Sequence, residues 1–202
     1  MDFSGVKVIA LMGEEGSGKD TISKWLQVEH GYIPVSFGTK VKEIVASLCG
    51  WTWDKVSGDT KESREWRETP DEWWTKKLNL GFPITPRWMF RNIGTEVMKD
   101  HFHPLIWCYT VERRMLEFMS TNIPATKFVI TDLRFHDENQ WIIDTLPNVT
   151  RVRVERIESE CDNIGHRSQI EWLTIEPDII LTNNSTILEL KQQAQQKIFD
   201  QV

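Results

Sequence analysis

The residues best suited to chemistry are Gly13-Glu14-Glu15-Gly16-Ser17-Gly18-Lys19-Asp20-Thr21, directly after the apolar run Val6-Lys7-Val8-Ile9-Ala10-Leu11-Met12. Glycines let the backbone curl with its N–H groups pointing inward, and a helix starting at the lysine adds its positive dipole end. Such a loop cradles a polyphosphate, with Lys19 reaching the β/γ oxygens. Gly16, Ser17, Gly18, Lys19, Asp20 and Thr21 are therefore the candidate ligands of a donor nucleotide. Asp20 stands where a Ser/Thr hydroxyl usually meets magnesium. Two roles are open for it: holding the metal through waters, or favouring the helix N-terminus electrostatically. Thr21 could offer hydroxyl and N–H to an α- or β-phosphate. Glu14 and Glu15 add negative charge beside an anion site; they read as solvated carboxylates or, for Glu15 above all, as contacts to an acceptor or its metal waters.

Composition narrows what surrounds the loop. A chain of 202 residues suffices for one domain with a real core. A net charge of −6 argues against general duplex binding, which depends on neutralising phosphates, so no stable nucleic-acid partner is expected. The three cysteines, Cys49, Cys108 and Cys161, show no metal-ligand spacing, and their odd number fits a reduced compartment better than a disulfide framework. No signal-peptide layout or membrane-length apolar run is seen. A cytoplasmic location is the expectation.

The elements that must position the loop alternate. Val6–Leu11, Tyr32–Phe37, Phe128–Thr131, Val149–Val154 and Asp178–Leu181 read as short buried strands. A helix follows the loop to about Val28, and Ser185–Phe199 forms the last helix with Ser185 as its N-cap. Strands separated by helices predict an α/β fold, a five-stranded parallel sheet with helices on both faces. Ligands of such sheets lie beyond the carboxyl ends of the strands, where the glycine loop already is. Residues 38–127 are too long for one crossover and helical in pattern, and they hold Trp51, Trp53, Trp66, Trp73, Trp74, Trp88 and Trp107 of the chain's ten tryptophans. These rings either pack a small core of their own or, one or two of them, stack on a bound base. The expected organisation is one domain, 1–202, with a helical insertion at 38–127.

Beyond the loop, four segments carry a family resemblance. Arg87-Trp88-Met89-Phe90-Arg91-Asn92-Ile93-Gly94-Thr95-Glu96 resembles the arginine-containing helix ending in G-T-E of phage deoxynucleoside monophosphate kinases. Val129-Ile130-Thr131-Asp132-Leu133-Arg134-Phe135-His136-Asp137-Glu138 is similar to their strand ending in D-x-R-F-x-x-E, and His166-Arg167-Ser168-Gln169 to their H-x-S-E segment. Asp178-Ile179-Ile180-Leu181-Thr182-Asn183 resembles their last strand and adenine-side turn. The resemblance implies the P-loop NTPase three-layer fold with an inserted subdomain for the acceptor. It also implies transfer of the ATP γ-phosphate, with magnesium, to a deoxynucleoside 5′-monophosphate in a phage-infected cell's cytoplasm.

Candidate roles follow. Lys19, Arg134 and Asp132 are the catalytic candidates: two cations for phosphate charge, and a strand-end carboxylate that could hold magnesium directly or through water. The alternative for Arg134 is a surface ion pair with Asp137 or Glu138, and for Asp132 a loop or capping role. Asp20 and Asp132 are the candidate metal residues. Lys40, Arg64, Arg67, Arg87 and Arg91 are cations for the acceptor phosphate, although Lys61–Glu68 is also a mixed charge run of the kind that forms solvated helix faces. Phe37, Gly94, Thr95, Glu96 and Trp107 are further acceptor candidates. Arg91 departs from the glutamine the family usually carries, and Gln169 from its glutamate. Residues 156–169 lie where this kinase class has a lid that excludes water, with Arg167 and His166 as candidate donors to phosphate and a structural role equally open for His166. Asn183 or Asn184 borders the adenine or serves the turn. Other P-loop small-molecule kinases, a kinase of hydroxymethylated pyrimidines in DNA, and a non-catalytic ATP-binding module are the competing classes. Base specificity is open, and so is a homodimer through the insertion's apolar helices.

Overall fold

The computed structural model describes residues 2–121, 125–156 and 166–200. The chain divides into two compact units, one made of Met1–Ser36 with Val111–Val202, the other of Phe37–Thr110.

The first unit is built on five parallel strands: β1 (Lys7–Met12), β2 (Ile33–Val35), β3 (Lys127–Ile130), β4 (Val149–Glu155) and β5 (Ile179–Thr182). Their spatial order is β2-β3-β1-β4-β5, with Ile9 opposite Val129 on one side and Thr150 on the other. Five of the six β1 residues are buried, as a central strand covered on both faces requires. On one face Ile9, Leu11, Val129, Val152, Val154 and Leu181 pack with Ile22, Trp25 and Leu26 of helix α1 (Lys19–His30) and with Leu190 and Ala194 of the last helix, Ile187–Ile198. The alternate residues Val8, Ala10, Met12, Phe128 and Ile130 are buried on the other face, where Phe118 packs its ring against Phe128.

Two sequence boundaries are corrected. The second strand stops at Val35, and Phe37 opens helix α2 (Phe37–Cys49), because the Ser36 hydroxyl turns away to Asp132 while Val35 O takes the N–H of Thr131. The last helix is capped by Thr186, not Ser185: the cap oxygen must reach the N–H three residues on, and Thr186 Oγ1 accepts from Glu189 N at 3.2 Å.

The second unit is helical: α2, then α3 (Trp53–Val56), α4 (Lys61–Glu68), α5 (Glu72–Leu78) and α6 (Pro86–Arg91). Helix α6 runs on into a π-helical segment, Asn92–Phe102, so Gly94-Thr95-Glu96 lie inside a helical run and not at its end as the motif suggested. The wider π turn is braced at Gly94, where a Cβ would come within 2.9 Å of Val41 Cγ1 and whose carbonyl accepts from Trp107 Nε1 at 2.8 Å. Trp51 and Trp66 are half-buried, with Trp51 packed edge-on against Trp66 and Phe90 and donating to Asp71, whereas Trp53 and Trp73 are exposed. Helix α7 (Ile106–Met119) leads back to the sheet, followed by α8 (His136–Thr145), the single turn α9 (Arg167–Ile170) and α10 (Ile187–Ile198). No helix among the described residues is long and apolar enough to cross a membrane.

Candidate active site

The loop between β1 and α1 has the shape its glycines allow. Gly13 and Gly18 take φ of 142° and 110°, which L side chains rarely adopt. Neither has room for more: a Cβ on Gly13 would lie 2.3 Å from Val154 O, and one on Gly18 2.7 Å from Asn183 Nδ2. The first helical bond of α1 runs from Ile22 N to Gly18 O, which leaves the N–H groups of Lys19, Asp20 and Thr21 without helical acceptors. Ser17 is only 2% exposed, yet its hydroxyl has no hydrogen-bond partner. Orphan donors and a buried unpartnered hydroxyl in a positive helix mouth suit an anion rich in acceptor oxygens, so the residues fit a polyphosphate.

Lys19 is half-buried, and its Nζ donates to Glu14 O. Burial first and the charge of Arg134 second bring its pKa down to about 8, against the opposite pull of Asp20, Glu15 and Asp132. Those opposing influences show that the structure gathers Lys19, Arg134, Asp132, Asp20 and Glu15 within electrostatic reach of one another. Asp132 Oδ2 accepts from Ser36 Oγ at 2.8 Å, which fixes the carboxylate at the strand end. Glu138, offered by the sequence as an ion-pair partner of Arg134, is buried and accepts instead from the main-chain N–H of Arg134 (2.9 Å) and Phe135 (3.1 Å). It therefore sets the backbone that carries Arg134 and caps α8. Among the described residues no group of three or more His, Cys, Asp or Glu forms a ready metal cage.

Asn183, at the turn after β5, donates its amide to Ser17 O at 2.8 Å and its N–H to Glu155 O at 2.7 Å. Arg167 is exposed, 3.6 Å from Glu171, with its guanidinium over the Phe135 ring; His166 caps α9 through Ser168. Residues 157–165 of the expected lid lie outside the described residues.

In the helical unit the cations converge on one stretch of backbone. Lys42 Nζ donates to Ser57 O at 2.6 Å, Arg64 Nη1 donates to Gly58 O at 3.0 Å, and Arg67 is buried with its guanidinium where a Gly58 Cβ would fall. Arg87 Nε reaches Glu68 at 2.6 Å. Lys42, which was not among the sequence candidates, lies on α2 two residues after Lys40. Lys40 itself is exposed on α2 and pairs with Glu43. Arg91 ends α6, and Thr95 and Glu96 sit in the π segment. Phe37 and Trp107 are both buried, and Trp107 is bound to Gly94.

A parallel α/β sheet with this loop at its carboxyl edge defines a P-loop kinase, an enzyme of phosphoryl transfer. Over 194 residues the chain is 30% identical to an Acanthamoeba polyphaga mimivirus protein provisionally named a deoxynucleotide monophosphate kinase, covering 92% of this chain and 93% of that one. The chain belongs to the deoxynucleotide monophosphate kinase family. No family profile matches it. Among solved structures it resembles a Sinorhizobium meliloti gluconokinase (14% identity, 98% of this chain and 93% of that one, TM-score 0.42). A Thermus thermophilus protein is alike at 14% identity, 98% of each chain and a TM-score of 0.47. These two likenesses are too distant to bear on function.

Proposed function

We propose that the chain transfers the γ-phosphate of ATP to a deoxynucleoside 5′-monophosphate (dTMP, dGMP or a modified pyrimidine) to give the diphosphate for viral DNA synthesis in the host cytoplasm. The observation that carries this reading is the helix mouth itself: the buried Ser17 hydroxyl without a partner and the first N–H groups of α1 converge beside Lys19, with Arg134 within electrostatic reach. The full-length likeness to the mimivirus protein supports the acceptor class.

The roles follow from charge. Phosphoryl transfer asks for positioning and neutralisation more than covalent chemistry. Loop N–H groups and Lys19 orient the donor phosphates, and Arg134 meets charge that develops on the transferred group. Magnesium arriving with ATP would be held by Asp132 and Asp20 through water, where it neutralises the polyphosphate. In the helical unit, 37–110, Lys42, Arg64, Arg67 and Arg87 serve the acceptor monophosphate. No general base is needed, because the acceptor is a phosphate oxygen already ionised at neutral pH.

The test is ADP release with ATP, magnesium and each deoxynucleoside monophosphate in turn, alongside dephospho-coenzyme A and duplex DNA. ADP formed only with one or two monophosphates is the expected result and names the base. Silence with all of them, or turnover with DNA or dephospho-coenzyme A instead, overturns the reading.

A further inference from the structure

We infer that Asn183 is a positioning residue for the phosphate loop, acting on Ser17 and Gly18 and not on the nucleotide base. The inference rests on the reading of residues 13–21 as the polyphosphate site. Ser17 and Asn183 are 166 positions apart, yet the Asn183 amide donates to Ser17 O at 2.8 Å. The same Nδ2 lies 2.7 Å from where a Gly18 Cβ would be, so the side chain covers Gly18 and fills the space that its missing side chain leaves. Leu190 Cδ2 is the next atom there, at 3.2 Å.

The asparagine is itself held at both ends of its turn. Its own N–H is bound to Glu155 O at the end of β4, and the preceding Thr182 N donates to Gln193 Oε1 of α10 at 2.7 Å. Asn183 thus stands on a strand end fixed by the sheet and by α10, and it grips the loop one and two residues before Lys19. Ser17 O is thereby committed to a side-chain donor from beyond the loop. An acceptor held in this way keeps the Ser17–Gly18 peptide from turning its carbonyl toward the phosphates, where it would repel them. A residue that read the base would direct its amide at the ligand; here the Nδ2 of Asn183 is anchored to the main chain of the loop.

The experiment compares wild type, Asn183→Ala and Asn183→Asp for binding of ATP, GTP and inorganic tripolyphosphate, all in magnesium buffer, with kcat and KM for ATP and with thermal melts. Tripolyphosphate has no base, so it reads the loop alone. We expect Asn183→Ala to weaken all three ligands by a common factor of about 3 to 10, the worth of one hydrogen bond. Asn183→Asp keeps the shape but puts a carboxylate on the Ser17 carbonyl, and it should weaken them more. KM for ATP should rise with kcat falling less, and the ATP/GTP ratio should hold. Weaker ATP binding with unchanged tripolyphosphate binding assigns Asn183 to the base and overturns the inference. A lowered melting temperature with all three affinities unchanged makes it a fold residue only, and also overturns it. Wild-type protein that binds neither ATP nor tripolyphosphate refutes the loop reading itself, which is visible before any variant is made.

Discussion

Lys19 should make nucleotide binding a proton-uptake reaction above neutral pH. Its pKa in the folded protein is about 8, against 10.5 for an ordinary lysine, because burial removes water from the ammonium and Arg134 adds a like charge. About 0.1, 0.5 and 0.9 of the molecules then carry neutral Lys19 at pH 7, 8 and 9 respectively. A bound triphosphate supplies opposite charge and returns the lysine to its protonated form. Apparent ATP affinity should thus fall about tenfold between pH 7 and pH 9, or ~1.4 kcal/mol. Titration calorimetry at pH 9 in two buffers of different ionisation enthalpy should find about 0.9 proton taken up per ATP bound. The ATP phosphates do not titrate there, and Lys19→Met should abolish the uptake. Flat affinity from pH 7 to 9 with no buffer-dependent heat would refute the argument that Lys19 is the phosphate cation.

The same shift has a sign for stability. A lysine whose pKa is lowered on folding destabilises the fold below its folded pKa, and unfolding takes up a proton between about pH 8 and 10.5. Stability of the ligand-free protein should rise across that window, by up to about 3 kcal/mol from this group. Lys19→Met should melt higher than wild type at pH 7, and the gap should close by pH 10.5.

Arg134→Ala should lower kcat about 10²- to 10³-fold while changing KM for ATP little, since the charge it meets grows in the transition state; a matching loss in ATP affinity would make it a ground-state contact. Gly13→Ala forces a side chain onto φ 142° and to within 2.3 Å of Val154 O, so urea melts should show a loss of at least about 2 kcal/mol. Trp107→Phe keeps the ring but leaves the Gly94 carbonyl unbound by the indole, and should cost about 1–3 kcal/mol in the same melts.

What could be read from the sequence was what is local. The phosphate loop is nine consecutive residues, and β1, β3, β4 and β5 are apolar runs whose cores fell within a residue of their observed ends. The contacts that shape the site join distant positions. Ser36 to Asp132 spans 96 positions and Asn183 to Ser17 spans 166, and both depend on the strand order. No periodicity in one segment encodes which strands become neighbours. The bond from Lys42 to Ser57 O, 15 residues on, was hidden for the same reason. The π segment has no propensity signature, because Gly94 looks alike as a terminator and as a close-packed turn.

The charges around the loop argue for how the donor must arrive. Lys19 and Arg134 supply two cations, while Asp20, Glu15 and Asp132 supply three carboxylates close enough to influence Lys19. Before any ligand binds, the carboxylates already outnumber the cations. A bare ATP polyanion would meet more carboxylate than ammonium, and the loop N–H groups alone would have to hold it. Nor do the described residues form a cage that would keep a cation waiting. On the proposed reading the divalent ion would come with the nucleotide, and Asp132 and Asp20 would hold it through water, where its charge offsets the carboxylates. ATP affinity should accordingly collapse when magnesium is chelated, and Asp132→Asn should weaken Mg·ATP while strengthening ATP measured in chelator. If Asp132→Asn weakens both alike, the aspartate orders the strand end through Ser36 and has no part in holding the metal.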